Sequence, residues 1–206
     1  MHYDMNSAPT GRSERMAATA ARVTTVARRL TAERGLTGFT VEEVCERAGI
    51  SRRTFFNYFA TKDDAVLGRS AHRDDEDLVA AFLDGTAPLL DDLARLTAQR
   101  WARADMTVEN CREVQAAVER EPRLLAKFLE QLLRDEQSDV ELVERREGLP
   151  RGDVRAATAV QVVGALAGAA VREFVSEGST TPFADLLTRR LDAARTLLSP
   201  DPERTS

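Results

Sequence analysis

Arg53 and Asn57 lie about one helical turn apart and carry side chains that can bond to the edges of bases. Arginine can donate two hydrogen bonds to guanine in the major groove, and asparagine can pair in a similar way with adenine. Thr54, beside them, offers a methyl group for contact with a thymine methyl. A short helix that presents these three side chains would have the chemistry to read base sequence in double-stranded DNA.

A second group of side chains is suited to phosphates rather than bases. Arg52, Tyr58 and Lys62 can donate hydrogen bonds to phosphate oxygens from positions on or just after the same helix. Thr40 and Ser51 are predicted to cap two helix starts, where unpaired backbone amides can also donate to phosphates. Together these groups would hold a helix in a fixed register on DNA.

The first element that positions these groups is a helix beginning after Thr40. Glu43 follows three residues later, so the hydroxyl and the carboxylate could each satisfy a backbone amide in a capping box. Apolar residues between positions 41 and 48 recur at helical spacing, and Gly49 suits the left-handed conformation that ends a helix. Cys45 lies on this apolar stripe and is predicted to be a small core residue rather than a reactive thiol.

The second element is a short helix between the caps Ser51 and Thr61. Phe55 and Phe59 lie about 40° apart around this helix and define its core face, opposite Arg53. A helix, a glycine turn, a second helix and the capped start of a third form a helix-turn-helix arrangement. The sequence therefore predicts a DNA-binding domain.

This segment resembles the DNA-binding domain of the TetR family of transcriptional regulators. The run RRTFFNYFATKDDAV is most similar to actinobacterial branches, including regulators of the mycofactocin system, some of which sense acyl-thioesters. Two positions depart from the family pattern: Phe56 stands where a phosphate-contacting Tyr is usual, and Thr31 where the first helix usually buries a Phe. The residues that match the pattern are Gly35, Thr40, Val41, Val44, Ala48, Gly49, Ser51, Thr54, Phe59, Lys62 and Leu67.

The charge distribution agrees with an N-terminal DNA-binding region. A net charge of −5 and a pI near 5.3 argue against a general nucleic-acid binder. However, residues 1–60 hold nine Arg against six Asp and Glu, whereas residues 61–206 hold 20 basic against 28 acidic residues. The acidic remainder would help to restrain nonspecific binding.

The rest of the chain is predicted to be helical, so the fold class is all-α. We expect an N-terminal three-helix helix-turn-helix domain at residues 15–67, then a helical-bundle ligand-binding and dimerisation domain at residues 68–198. Residues 1–14 and 199–206 are expected to be flexible tails. The helix breaks are predicted at residues 85–88, 121–122, 148–152 and 178–182.

The last two helices are predicted to form a dimer interface. The segment after Asp153 is rich in small residues, which allow another helix to approach closely, and the next helix has an apolar face. The family resemblance implies dimerisation here, while packing within one chain is the alternative. Two recognition helices about 34–36 Å apart would read a palindrome. The predicted interface residues are Ala157, Gly164, Ala165, Gly168, Phe183, Leu187 and Leu191.

The resemblance also implies a small, mostly apolar ligand that binds in the bundle and releases the dimer from its operator. An acyl-thioester is one candidate, and family precedent favours repression. Core packing is the alternative role for every candidate pocket residue. These residues are Trp101, Met106, Gln115, Phe128, Gln131 and Gln161.

Catalysis finds little support in the sequence. His2 lies in the N-terminal tail, His72 lies in a charged run, and there is no Gly-rich phosphate loop or metal-ligand spacing, so no enzyme, cofactor or metal site is predicted. A helical-bundle carrier or sensor of small molecules without sequence-specific DNA binding is the alternative function. Two widely spaced cysteines, no secretory signal and no apolar run approaching about 18 residues predict a cytoplasmic protein.

Overall fold

A computed structural model describes residues 10–69, 75–176 and 179–198. These residues form ten helices and no strand, which confirms the predicted all-α class. The helices are α1 (Thr10–Arg34), α2 (Val41–Ala48), α3 (Arg52–Tyr58), α4 (Lys62–Leu67), α5 (Glu76–Leu83), α6 (Leu89–Arg103), α7 (Val108–Arg120), α8 (Pro122–Glu147), α9 (Val154–Phe174) and α10 (Phe183–Leu198).

The helices pack into two compact units whose division differs from the predicted boundary at residue 67. Of the described residues, the first unit contains 10–69 and also 113–128, and the second contains 75–112, 129–176 and 179–198. Residues 113–128 join the first unit because Ala117 and Leu124 are buried in the same core cluster as the helices of the helix-turn-helix. Sequence periodicity marks such residues as apolar but cannot identify the helices that cover them.

Helix α1 also begins earlier than expected, at Thr10, inside the segment predicted to be an N-terminal tail. The rest of that predicted tail, residues 1–9, and the C-terminal tail, residues 199–206, lie outside the described residues. Thr31 of α1 is fully buried, and its hydroxyl donates to the carbonyl of Ala27 at 2.8 Å. The polar residue at this core position is therefore satisfied within its own helix.

Helix α2 has the predicted ends but a different use of Glu43. The Thr40 hydroxyl accepts from the Glu43 amide at 3.2 Å, and Gly49 has a φ of 65°. The Glu43 carboxylate, however, accepts hydrogen bonds from Arg34 and Arg47 rather than returning to the Thr40 amide. The bond from Arg34 is the main reason that the pKa of Glu43 is lowered. Of the two hydrogen bonds expected in the capping box, the one to the Thr40 hydroxyl forms, and the Glu43 carboxylate binds the two guanidinium groups instead.

Replacing Thr40 with Ala should destabilise the first unit by about 1 kcal/mol, because the first turn of α2 loses its side-chain cap. Thr37→Ala is the matched control, since Thr37 is an exposed threonine in the turn before the helix. The free energy of unfolding from urea titration measures both effects. Equal stability of the two variants would show that the cap does not stabilise α2.

The second unit has a core built from α5, α6, α8, α9 and α10. Trp101 of α6 stacks on Phe183 of α10, with ring centroids 4.2 Å apart. The buried Arg146 of α8 binds the buried Asp92 of α6 and donates to the carbonyl of Ala87 at 2.8 Å. The carbonyl bond fixes the turn between α5 and α6 against α8.

Within the described residues, the predicted helix breaks fall at the ends of observed helices, but the break between α6 and α7 was not predicted. Residues 104–107 separate α6 from α7, and Asp105 there has a φ of 48°. No Gly or Pro occupies this turn, so the usual signal for a break was absent. Asp105 adopts the left-handed region, which Asp tolerates better than most residues.

Helix α9 is capped by Asp153, whose carboxylate accepts from the Arg155 amide at 2.8 Å. Its hydrogen bond with the Arg155 side chain is the main cause of a pKa lowered to about 2. Because the folded pKa lies below the unfolded value of about 3.9, this stabilisation is present above that value and is lost as the pH falls through about 2. The cap is therefore fully charged at neutral pH.

Within the described residues, α9 alone is long and apolar enough to cross a membrane by length and composition, with a mean hydropathy of 1.6 over 18 residues. The expectation that no apolar run approaches this length was therefore wrong. Core helices of soluble proteins can have the same length and composition. Only 28% of the window is buried within the chain, which leaves much of α9 uncovered.

Candidate nucleic-acid interface

Helix α3 has one face in the core and one face in solvent, as the sequence predicted. Phe55 and Phe59 are fully buried, and their ring centroids lie 5.7 Å apart. Arg53 and Asn57 are exposed, and Thr54 is half-buried. The two long polar side chains expected to read bases therefore project from an anchored helix, and their contact with bases stays a prediction.

The cap of α3 also involves Thr54. The Ser51 hydroxyl accepts from the Thr54 amide at 3.0 Å and lies 2.8 Å from the Thr54 hydroxyl. This pairing holds the Thr54 side chain at the start of the helix. The Ser51 oxygen therefore serves as the cap of α3, and a phosphate contact by Ser51 stays a prediction.

Phe56 and Arg52 form a contact that bears on the departure from the family pattern. Phe56 is 43% exposed and packs edge-to-face on Phe55, with centroids 5.3 Å apart. The Arg52 guanidinium lies 5.5 Å from the centre of the Phe56 ring and 3.1 Å from the Glu42 carboxylate. Phe56 lacks the hydroxyl of a Tyr, but its ring contacts a guanidinium that can bind phosphate.

The remaining predicted phosphate contacts are partly engaged within the chain. The Lys62 ammonium donates to the Phe39 carbonyl at 3.0 Å and lies 4.9 Å from the centre of the Phe39 ring. Tyr58 is half-buried and packs against the core of the first unit. The Thr40 hydroxyl caps α2. A phosphate contact by Lys62 would therefore have to compete with its bond to Phe39.

Cys45 behaves as the expected core residue. Its side chain is buried, and burial raises the pKa of its thiol. A raised pKa keeps the thiol protonated and poorly nucleophilic at neutral pH. Cys111 is also buried, and both cysteines are free thiols. His72 lies outside the described residues.

The six predicted pocket residues are divided between the two units. Gln115 and Phe128 belong to the first unit, whereas Trp101, Met106, Gln131 and Gln161 belong to the second. The glutamine amides bond to carboxylates nearby: Gln115 to Glu119 at 2.8 Å, Gln131 to Asp135 at 2.8 Å and Gln161 to Glu136 at 3.2 Å. Trp101 stacks its ring on that of Phe183 and so packs within the second unit. Effector binding by these side chains stays a prediction, because helical spacing does not determine which helices are neighbours.

Among the residues that the structure describes, each unit has an open cleft. The cleft in the second unit has a volume of about 480 Å³ and includes Gln161 and Ala157 from the predicted sets. Its other lining residues, including Glu144 and Gly152, were not singled out in the sequence. The cleft in the first unit, of about 520 Å³, lies between α1 and α7 and is lined by alanine and charged side chains.

The predicted dimer residues separate into two groups. Phe183, Leu187 and Leu191 of α10 are 3%, 1% and 3% exposed and fill the core of their own chain, as the alternative of intrachain packing described. They do not offer a surface to a partner. Gly164 and Ala165 of α9 are exposed, and Ala157 and Gly168 are half-buried. The uncovered part of the predicted surface therefore lies on α9.

The exposed polar face of α3, the glycine turn before it and the three capped helices form a helix-turn-helix arrangement. Residues 23–67 match the family model described as bacterial regulatory proteins, tetR family. This match covers about a fifth of the chain and confirms the resemblance of this segment to the tetR family that the sequence indicated.

Comparison with solved structures gives a distant similarity over most of the chain. One similar chain is described as a TetR-family transcriptional regulator from Mesorhizobium loti, with 16% sequence identity and a TM-score of 0.47. The similarity covers 89% of this chain and 98% of that chain. A comparison with curated proteins found no match.

Proposed function

We propose that the protein binds palindromic operator DNA as a homodimer and represses transcription until a small molecule releases it. The observation that carries the proposal is the exposed pair Arg53 and Asn57 on a helix anchored by Phe55 and Phe59. These two side chains are the ones that pair bidentately with guanine and adenine. The alternative, a carrier without DNA binding, has no use for such a face.

Dimerisation is supported by the uncovered surface of α9. Thr158, Gln161 and Ala165 are exposed at spacings of three and four residues and so form one stripe along the helix. A Cβ added to Gly164, beside this stripe, would meet no atom within 4 Å in the chain. Small residues next to open space permit close approach of a second helix. We infer that a second copy of α9 covers this surface.

Replacing Ala165 with Glu should convert the dimer to a monomer, because two like charges would face each other across a twofold interface. Ala102→Glu is the control, since Ala102 is exposed on α6, outside the proposed interface. Molar mass from light scattering during gel filtration measures both. A dimer that persists in the Ala165 variant, or a monomeric wild type, would exclude this interface.

The dimer would also explain how a short recognition helix becomes selective. The described α3 has seven residues and can reach few bases. Two such helices placed one DNA turn apart would read both halves of an inverted repeat. Selection of bound duplexes from a random pool tests the proposal: recovery of an inverted repeat is expected, and recovery of no enriched sequence would reject it.

A small, mostly apolar effector, such as an acyl-thioester, remains part of the proposed function on family precedent. Such a ligand can act only through different affinities for the DNA-bound and released states. The cleft of about 480 Å³ in the second unit is a starting point for locating it, since Gln161 is the one predicted pocket residue that lines it. A regulator of this kind would act in the cytoplasm, where its DNA is.

A further inference from the structure

The chain contains only two lysines, and both meet at the first turn of α4. Lys62 is the first residue of that helix. Lys127 comes from α8, and its ammonium lies 2.6 Å from the Thr61 hydroxyl and 2.8 Å from the Asp64 carboxylate. Thr61 and Asp64 form the cap of α4, so Lys127 binds the cap itself.

A second cation from α8 binds the same turn. Arg123 lies 2.9 Å from the Asp63 carboxylate. Asp63 is 3% exposed, and its other carboxylate oxygen is buried without a hydrogen-bond partner. Leu124, between the two cations in sequence, is fully buried in the core of the first unit and anchors this part of α8. Leu124 thus fixes the turn of α8 that carries both cations, although the Arg123 side chain itself is 68% exposed.

Asp63 and Asp64 are unusual neighbours for a phosphate contact. They follow Lys62 directly, so the first turn of α4 alone carries two negative charges and one positive charge. A phosphate brought to Lys62 would be repelled by both carboxylates. With Lys127 and Arg123 in place, the local sum of these five side-chain charges becomes positive.

We propose that Lys127 and Arg123 are determinants of DNA affinity: they neutralise the carboxylates beside the phosphate contact of Lys62. This inference rests on the proposed function. Both residues lie outside the segment 23–67 that matches the family model. Two cations of α8, about sixty residues after α4 in sequence, would thus offset the negative charge of Asp63 and Asp64 at the DNA-binding face.

The test compares charge variants on an operator recovered by selection. Lys127→Met should weaken binding by roughly tenfold at 100 mM KCl, because Asp64 becomes an uncompensated charge in each subunit. The loss should shrink at about 500 mM KCl, where longer-range repulsion is screened. Arg134→Met is the control for net charge, since Arg134 is an exposed arginine further along α8 and should change the dissociation constant less than about twofold.

Asp64→Asn separates neutralisation from a merely structural tether. It should tighten binding, because Lys127 then has no carboxylate to offset, and it should restore affinity in the Lys127→Met background. If Lys127 instead only tethers α8 to the cap of α4, Lys127→Met and Asp64→Asn should both weaken DNA binding. Melting temperatures and circular dichroism confirm that each variant is folded, and the neutral double variant provides a readout if Lys127→Met alone unfolds.

The outcomes distinguish this inference from the function on which it rests. If the wild type selects no sequence, the proposed function fails and the inference fails with it. If the wild type binds its operator but Lys127→Met matches Arg134→Met, or Asp64→Asn does not tighten binding, neutralisation by α8 is wrong while the proposed function stands.

Discussion

Arg53→Ala should lose at least about thirtyfold in operator affinity while keeping its fold. A bidentate arginine contact with guanine contributes about 1–3 kcal/mol of discrimination, and a dimer would lose it in both half-sites. The side chain is exposed, so removing it should cost the fold little. Fluorescence anisotropy with the operator and with a scrambled duplex measures the change. The preference of the variant for the operator over the scrambled duplex should fall by a similar factor, while the contacts of Asn57 keep part of that preference.

Asn57→Ala should weaken binding in the same range, because its contact with adenine is of the same kind. Arg134→Ala removes an arginine from an exposed position on α8 and should retain the preference for the operator. This control separates a specific contact from the general effect of one lost positive charge. Variants at positions 53 and 57 that bind the operator as tightly as the wild type would refute the assignment of the recognition face.

Phe55→Ala should destabilise the first unit by about 3–5 kcal/mol, because it removes a fully buried ring and leaves a cavity beneath α3. The Phe55 ring lies 5.3 Å from that of Phe56 and 5.7 Å from that of Phe59, so neighbouring side chains would also lose packing. A loss of this size is comparable with the stability of a small domain. Thermal unfolding should show a large drop in melting temperature and no operator binding.

Phe56→Ala is the matched control for that loss. Phe56 is the adjacent residue of the same type but is 43% exposed, so its removal should cost less than about 1 kcal/mol. It should weaken DNA binding modestly if its ring positions the Arg52 guanidinium. Similar destabilisation by the two substitutions would show that the burial of α3 is wrongly described.

The local features of the DNA-binding domain could be predicted from sequence because their signals are local. Thr40, Ser51 and Thr61 each cap the helix expected of them, and Gly49 ends α2 in the left-handed conformation. Caps and glycine turns depend on backbone groups within about four residues, so spacing alone identifies them. The core face of α3 followed from the same kind of short-range periodicity.

Features that depend on neighbouring helices could not be predicted in the same way. Leu124 and Leu133 belong to one apolar pattern in the sequence, yet Leu124 is fully buried and Leu133 is 66% exposed. Likewise, the apolar face of α10 was assigned to a partner chain, but Leu187 is covered by its own chain. Periodicity reports that a face is apolar, and only the packed structure reports what covers it.

The contacts of residues 113–128 show the same limitation for charged groups. Glu121 accepts a hydrogen bond from the Leu36 amide at 2.7 Å, and Arg120 donates to the Ala32 carbonyl at 2.9 Å. Each contact joins residues more than eighty positions apart, and nothing in the local sequence pairs them. For the contact between α8 and α4, the sequence offered one signal: Lys127 is one of only two lysines in the chain.

Parallel selection from a random duplex pool by the wild type and by Arg53→Ala tests the central claim most directly. We expect the wild type to enrich an inverted repeat with half-sites about one DNA turn apart. The Arg53 variant should lose its preference at one guanine in each half-site, with the preference at other positions retained. Enrichment of no repeat by the wild type, or of the same sequence by both proteins, would contradict base reading by α3.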